Sequence, residues 1–165
     1  NSNDKFDKNG KFASSGKIDN LILNQAIENF NITKYDKSLD INDFDLSFVR
    51  GLNLENGSAT ITNFTAYLIS KGIKYFIKKT KTKGTYFICG GGRKNKKLIE
   101  DINNHLNDKE IKLENIDEYG FDGDFIESQT FAYLAIRSFL ELPISFPETT
   151  RCNSPTIGGK INKNF

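Results

Sequence analysis

One segment limits the fold more than any other, because a short apolar run passes directly into three glycines and then into a helical pattern. The run Thr85–Cys89 is rich in aromatic and branched residues, which is typical of a short buried strand. After Gly90–Gly92, apolar residues at 98, 99, 102 and 106 predict a helix over about 95–106. Residues 111–116 then predict a second strand. Strand–helix–strand in close succession predicts an α/β fold with at least part of the sheet parallel.

The other predicted elements are mostly helical. Asp19 precedes a helical pattern that extends to Phe30, residues 58–79 predict a long helix weakened locally by Gly72, and residues 125–140 predict the most apolar helix, which Pro143 ends. The polar residues up to Ser15 predict a turn at Asn9-Gly10 between short extended pieces. Residues 31–55 show no clean period and are predicted to be irregular or partly helical.

Composition excludes several classes of protein. The 165 residues suit one domain, residues 1–165, and a net charge of +2 excludes a bulk polycation. Two distant cysteines exclude a zinc ribbon and a disulfide scaffold and favour a reducing, cytoplasmic compartment. The longest apolar run, residues 131–136, is too short to span a bilayer. Because the sequence contains no Met, we expect it to be a piece of a longer protein.

Charge is distributed unevenly. Residues 71–97 contain ten basic residues and no acidic one, whereas residues 100–127 contain ten acidic residues and two lysines. One interpretation is that oppositely charged faces of neighbouring elements attract each other. A second is that the basic stretch borders an anionic ligand. A third is a non-catalytic module that binds nucleic acid, although no recognised nucleic-acid motif accompanies the interleaved aromatic residues.

The three glycines after the first strand suit a binding site. Without Cβ atoms, a flat or anionic ligand can lie directly on the peptide groups, beside the free N–H groups of a helix N-terminus. The segment is not a P-loop, because no Gly-Lys-Ser/Thr follows, and Asn95 stands where the dinucleotide-binding fingerprint requires its third glycine. A ligand-binding turn and a tight structural turn both remain open.

Four other positions could carry chemistry. Asp124 and Glu127 have the spacing of a helix N-terminal capping pair, and the alternative is that Glu127 faces a cleft and binds substrate hydroxyls. His105 shares a helix face with apolar residues, which favours a partly buried, hydrogen-bonded histidine over a catalytic one. Cys89 is predicted to be a small core residue.

Three ordered blocks resemble one family. They are Phe6-Asp7-Lys8-Asn9-Gly10 through Ala13-Ser14-Ser15-Gly16-Lys17-Ile18-Asp19, then Ile88-Cys89-Gly90-Gly91-Gly92-Arg93-Lys94-Asn95, and finally residues 120–135. The last block resembles G-x-x-x-D-x-x-E-A-x-A-F-A-x-L-A, with Ser128 and Thr130 in place of two alanines. In order and spacing they are similar to the C-terminal half of anhydro-N-acetylmuramic acid kinases, bacterial sugar kinases of the actin-like, hexokinase-like ATPase superfamily.

This resemblance implies an ATP-dependent phosphotransferase of peptidoglycan recycling that converts 1,6-anhydro-N-acetylmuramic acid to N-acetylmuramic acid 6-phosphate. It implies one lobe of an actin-like (ribonuclease H-like) fold, with a mixed sheet flanked by helices. Gly90, Gly91, Gly92 and Asn95 would bind ATP, Glu127 would bind the amino sugar, and Lys17 would approach the nucleotide. The N-terminal lobe would be a partner within the same protein, and a homodimer is left open.

Departures from the family pattern qualify this expectation. The family's phosphate-binding Gly-Thr-Ser-x-Asp-Gly loop and its catalytic Asp belong to the N-terminal half and do not occur here, so no catalytic residue or metal ligand is assigned to this chain. Mg²⁺ would be held mainly by the other lobe, and the chain alone is expected to be inactive. The family's K-S-T-G-R-E survives only as Lys37-Ser38, with Ile41 in place of Arg. A diverged, non-catalytic relative therefore stays an alternative.

Overall fold

A computed structural model describes residues 6–30 and 41–162. Its helices and strands follow in the order α1 (Lys11–Ser15), α2 (Asn20–Asn29), α3 (Leu54–Thr80), β1 (Thr85–Ile88), α4 (Lys96–Leu106), β2 (Lys112–Asn115), α5 (Ile126–Phe139) and α6 (Pro147–Thr150). Short 3-10 turns occur at Lys8–Gly10, Ile41–Asp43, Ser47–Val49, Gly91–Lys94 and Ile116–Tyr119. The α/β class is confirmed. Lys37–Asp40 of the altered family motif lie outside the described residues.

The long helix α3 is the central element of the fold. Its 27 residues span about 40 Å at 1.5 Å per residue. It begins four residues before the predicted start because the Asn53 side chain accepts a hydrogen bond from the backbone N–H of Asn56 at 2.8 Å. It ends where Lys81 takes a left-handed conformation at φ 59°. Gly72 does not interrupt it.

Two apolar clusters on α3 form the core. Against α2, the buried residues are Leu23, Ala26, Phe64 and Leu68. Against α4 and the strands, they are Ala66, Ile102, Leu106 and Ile111. At the contact between α3 and α4, the buried Ser70 hydroxyl donates a hydrogen bond to the Ala66 carbonyl at 2.7 Å and lies 3.2 Å from the Ile102 carbonyl. Both the predicted period of α2 and the predicted inward face of α4 are confirmed.

The sheet in the described residues consists of β1 and β2, which pair in parallel with Thr85 opposite Lys112 and Ile88 opposite Asn115. Helix α4 forms the crossover, as predicted. The prediction that the first strand is buried is wrong. Tyr86 packs against the α3–α4 cluster, but Phe87 points to the other face and is 52% exposed. The strand alternates because, among the described residues, helices cover one face of the sheet and leave the other exposed.

The first described residues are helical rather than extended, which corrects the prediction. Asp7 accepts hydrogen bonds from the backbone N–H groups of Phe12 at 2.8 Å and Ala13 at 3.0 Å, so its carboxylate satisfies free donors at the start of α1. Asn9 and Gly10 form the predicted turn, both with positive φ.

Helix α5 buries none of its residues, and neither does the short helix α6, whereas α1 to α4 each bury at least one. Its exposed apolar side chains include Phe131, Tyr133, Ile136 and Phe139. Pro143 follows its end, as predicted. Within the described ranges, no helix has the length and apolar character needed to cross a membrane.

Candidate functional site

Three sequence-distant segments meet at the end of β1. They are the Asn9-Gly10 turn, Gly90–Gly92 (the glycine turn) and Asp117–Asp124 (the acidic turn). The backbone N–H of Gly90 donates to the carbonyl of Gly123 at 2.8 Å, which joins the glycine turn to the acidic turn. Gly10 lies against the Asn95 side chain. The three blocks that carry the family resemblance therefore form one continuous region.

The outer surface of the glycine turn is open. Gly90 has φ 73° and ψ 178°, a conformation that only glycine adopts without strain. A Cβ added to Gly90 or Gly91 would meet no atom within 4 Å, and one on Gly92 would only touch Leu98 at 3.6 Å. Side chains of the described residues leave this bend unfilled, so a ligand can reach its peptide groups directly.

Asn95 has a structural role in the site. Its side-chain oxygen accepts a hydrogen bond from the backbone N–H of Leu98 at 3.0 Å and caps α4. The same side chain fills the space beside Gly10, whose φ is 73°, so that a Cβ on Gly10 would overlap it. Asn95 thus holds the Asn9-Gly10 turn against the start of α4, next to the glycine turn.

Arg93 connects the glycine turn and the acidic turn, and its side chain is only 3% exposed. Nε donates to Oδ2 of Asp117 at 2.9 Å, while Nη1 donates to Oδ1 of Asp124 at 2.6 Å and to the Gly90 carbonyl at 3.0 Å. The other oxygen of Asp117 accepts from the backbone N–H of Gly123 at 2.7 Å. The guanidinium therefore bonds to both turns at once.

These contacts shift the titration of the groups involved. Hydrogen bonds from Arg93 and then Lys94 lower the pKa of Asp124 to about 2. The pKa of Asp117 is also lowered, first by Arg93 and then by the Gly123 N–H. The two carboxylates in turn raise the pKa of Arg93, which stays charged. All three groups are ionised at neutral pH, and Arg93 is a cation held between two carboxylates, with the exposed Lys94 as a second cation on Asp124.

The predicted capping pair at α5 is wrong. Helix α5 begins at Ile126, its N-cap is Phe125, and no side chain caps it. The Asp124 carboxylate does not cap the helix because it is bonded to Arg93 and Lys94. Glu127 lies exposed in the first turn of α5, three residues after Asp124, where its carboxylate can face a ligand.

The remaining predicted positions divide between structure and surface. Lys17 is exposed, and its backbone N–H donates to the Asn56 side chain at 2.8 Å. His105 is half-buried, with Nε2 3.0 Å from Oδ1 of Asn63, as predicted for a hydrogen-bonded histidine. Burial lowers the pKa of its imidazole. Cys89 is exposed rather than part of the core, because it follows β1 at the open end of the sheet.

The basic and acidic stretches attract each other, which confirms the first interpretation of the charge pattern. The ion pairs of the described residues join Lys83, Arg93, Lys94 and Lys97 to acidic residues between positions 100 and 124. No group of three His, Cys, Asp or Glu side chains suited to a metal ion occurs within residues 6–30 and 41–162.

Sequence reasoning missed Arg93 and Asp117. Arg93 occupies an unspecified position of the glycine motif, and its partners lie 24 and 31 residues further along the chain. A basic residue directly after the glycines, followed by an acid-rich turn, was the available signal. The Gly10–Asn95 contact was also missed, because Asn-Gly predicts a turn without predicting its neighbour.

Comparison with known proteins gives one consistent family. Residues 1–164 match the family model for anhydro-N-acetylmuramic acid kinase. The chain is 53% identical over 164 residues to the anhydro-N-acetylmuramic acid kinase of Pelagibacter ubique (strain HTCC1062), covering 98% of this chain and 44% of that protein. It is 33% identical to anhydro-N-acetylmuramic acid kinase 2 of Jannaschia sp. (strain CCS1) over 159 residues, 95% of this chain and 40% of the relative. For the Brucella anthropi kinase the identity is 35%, with 95% and 41% covered. The chain thus spans less than half the length of these relatives.

Proposed function

Because the chain belongs to the anhydro-N-acetylmuramic acid kinase family, we propose that it is the C-terminal part of an ATP-dependent sugar kinase of peptidoglycan recycling. The full protein would convert 1,6-anhydro-N-acetylmuramic acid to N-acetylmuramic acid 6-phosphate. Water gives up a proton to solvent and its oxygen bonds to C1 of the sugar, the C1–O6 bond breaks, and O6 takes the γ-phosphoryl group of ATP with release of ADP. The cytoplasmic location stays a prediction from cysteine usage.

The observation that carries this proposal is the contact between all three family blocks around an unfilled glycine turn. We assign the nucleoside of ATP to Gly90, Gly91 and Gly92, where peptide groups are open to a flat ligand. Asn95 borders this position, with its oxygen already bonded to Leu98. We assign the amino sugar to Glu127, whose exposed carboxylate lies at the start of α5 and can accept hydrogen bonds from sugar hydroxyls.

We assign phosphate binding, water activation and Mg²⁺ to the remainder of the protein. The Asp117 and Asp124 carboxylates of this chain are bonded to Arg93 and so are poorly placed to hold a cation. Phosphoryl transfer depends mainly on positioning and charge neutralisation, so the two parts must act together. When bound, Mg²⁺ would neutralise phosphate charge.

We also propose that the remainder covers the apolar side of α5 and extends the sheet into the mixed sheet of an actin-like lobe. Phe131 and Phe139 are 63% and 70% exposed, although large apolar patches normally mark a contact. Parallel strands usually have both faces covered, but Phe87 is exposed on β1. The relatives are more than twice as long as this chain, which provides the chain needed for such a cover.

The direct test is to supply ATP and 1,6-anhydro-N-acetylmuramic acid to the full-length protein and to this chain, and to measure ADP and the sugar 6-phosphate. We expect product from the full-length protein alone. Product formed by this chain by itself would contradict the proposed division of labour, and no product from either would contradict the proposed activity.

The nucleotide position is tested by Gly91→Val in the full-length protein. Gly91 has no positive φ, and a Cβ there meets nothing within 4 Å, so the fold tolerates the change while the ligand does not. We expect the KM for ATP to rise about tenfold or more, equivalent to about 1.4 kcal/mol of lost binding. Gly57→Ala in α3, with Leu52 at an ordinary 3.8 Å from the added Cβ, is the control that should leave KM unchanged.

A further inference from the structure

We propose that Arg93 is a positioning residue that fixes the separation between the nucleotide and the sugar. The proposal rests on the function proposed above. Its guanidinium joins the glycine turn, assigned to ATP, to the acidic turn that leads into the helix carrying Glu127. Arg93 touches neither ligand in this scheme and acts through Gly90 and Asp124.

The contacts around Arg93 form a closed arrangement. Three donated hydrogen bonds reach Asp117, Asp124 and the Gly90 carbonyl. The Gly90–Gly123 backbone hydrogen bond and the Asp117–Gly123 hydrogen bond complete the connection between the turns. Gly123 is buried, and a Cβ on it would lie 2.5 Å from Nε of Arg93. The absence of a side chain at Gly123 is what allows the guanidinium to lie between the turns.

The chemistry requires arginine rather than any cation. A guanidinium is planar and donates in several fixed directions, so it can bind two carboxylates and a carbonyl together, whereas an ammonium acts as a point charge on a flexible stem. Removing Arg93 deletes the hydrogen bond to the Gly90 carbonyl and leaves Asp117 without its cation and Asp124 with Lys94 alone. The acidic turn then loses its connection to the glycine turn through Arg93, and its two carboxylates repel each other.

The expected consequence is catalytic because Glu127 follows Asp124 by only three residues. A shift of the acidic turn moves the start of α5 and therefore the assigned sugar carboxylate relative to the glycine turn. Small misplacements of bound reactants can lower a rate about a hundredfold without comparable loss of binding.

The test compares Arg93→Met, Arg93→Lys and Lys94→Met in the full-length protein by steady-state kinetics. Lys94 is the matched control because it pairs with the same Asp124 at 2.5 Å but is 52% exposed. For Arg93→Met we expect kcat to fall about a hundredfold while each KM changes less than about threefold. Arg93→Lys should recover part of kcat, and Lys94→Met should stay near wild type. Wild-type kcat in folded Arg93→Met, or an equal loss in Lys94→Met, would overturn the proposal.

Hydrogen exchange of the Gly90 and Gly123 amides in this chain separates this inference from the proposed function. Arg93→Met should speed exchange of both amides, and Lys94→Met should not. If the wild-type enzyme shows no turnover, both the proposed function and the catalytic role of Arg93 are refuted. If the exchange rates of the two amides are unchanged in Arg93→Met, the proposed connection of the two turns through Arg93 is refuted. If Arg93→Met does not fold, Arg93→Lys replaces it in both the kinetic and the hydrogen-exchange measurement. It keeps the positive charge but loses the planar guanidinium that donates in several fixed directions.

Discussion

The two ends of the structure hold their side chains in different ways. Around α3, apolar side chains from α2 and α4 are buried in two clusters, and Tyr86 of β1 and Leu113 of β2 pack against one of them partly buried. From the acidic turn onward, α5 buries none of its residues, and the contacts of this region include hydrogen bonds, such as that from Arg137 to the Pro143 carbonyl, and the ion pairs of Arg93. The first region can fold on apolar burial within the chain. The second has the composition of a buried helix but lacks, among the described residues, a surface that buries it.

The largest expected effect tests this contrast directly. Phe64 is 3% exposed and packs edge-on against Phe30 and Phe48. Phe64→Ala should lower the free energy of unfolding by about 3–5 kcal/mol, because it removes buried area and leaves a cavity. In this chain Phe139→Ala, at a residue 70% exposed, should change it by less than about 0.5 kcal/mol.

Chemical denaturation of both variants measures this difference in the free energy of unfolding. Repeating the measurement in the full-length protein tests whether α5 is covered there. If the remainder covers α5, Phe139→Ala should there cost about 2 kcal/mol or more. Equal losses for the two variants in this chain would mean that α5 is already packed. If Phe139→Ala leaves the free energy of unfolding of the full-length protein unchanged, the proposal that the remainder of the protein covers α5 is refuted.

The next effect compares two glycines with nearly the same backbone conformation in the two regions. Gly10 has φ 73° and lies against Asn95, whereas Gly120 has φ 81° and no atom within 4 Å of an added Cβ. Gly120→Ala should cost about 1–2 kcal/mol from backbone strain alone. Gly10→Ala should cost about 2–4 kcal/mol, because overlap with Asn95 adds to the strain.

Thermal and denaturant unfolding of the two alanine variants give this comparison. Adding Asn95→Ser, which keeps a capping oxygen on a shorter side chain, should recover part of the Gly10→Ala loss and nothing at Gly120. Equal losses at both glycines would show that the Gly10–Asn95 contact is not tight.

The same contrast explains what the sequence could predict. Helices α2 and α4 follow from apolar periodicity after Asp19 and Asn95, since both signals are local. The helix α5 was predicted to within one residue at each end, but its predicted capping residue is wrong, because the Asp124 carboxylate is bonded to Arg93 and Lys94 instead. The glycine turn was visible as three missing side chains.

The sequence did not predict which residues contact each other in the folded protein. The periodicity of β1 and α5 indicates apolar faces but not whether the chain itself covers them, and so Phe87 and Cys89 were expected in the core although both are exposed. The Arg93–Asp117 contact spans 24 residues and depends on how two turns meet. Tertiary contacts of this kind decide the geometry of the candidate site, whereas the candidate residues themselves are local in sequence.

The smallest expected effect is a difference in pH response between the regions. His105 lies between α3 and α4, and burial is the main cause that lowers the pKa of its imidazole. The negative charge of Asp101 acts in the opposite direction and raises the pKa, whereas the positive charge of Lys74 lowers it further. Because the pKa of His105 in the folded protein lies below its unfolded value of 6.5, the stability that the neutral imidazole contributes is present above pH 6.5. It is lost as pH falls from 6.5 through the folded pKa.

The pKa of Asp124 is lowered to about 2, so the stability that its carboxylate contributes is present above about pH 4 and is lost as pH falls toward 2. At pH 5, the protection factor, which is corrected for the intrinsic pH dependence of exchange, should therefore fall for amides at the α3–α4 contact while that of the Gly90 amide is unchanged. His105→Gln should remove the first change, and simultaneous loss of protection in both regions near pH 5 would show that they do not respond independently.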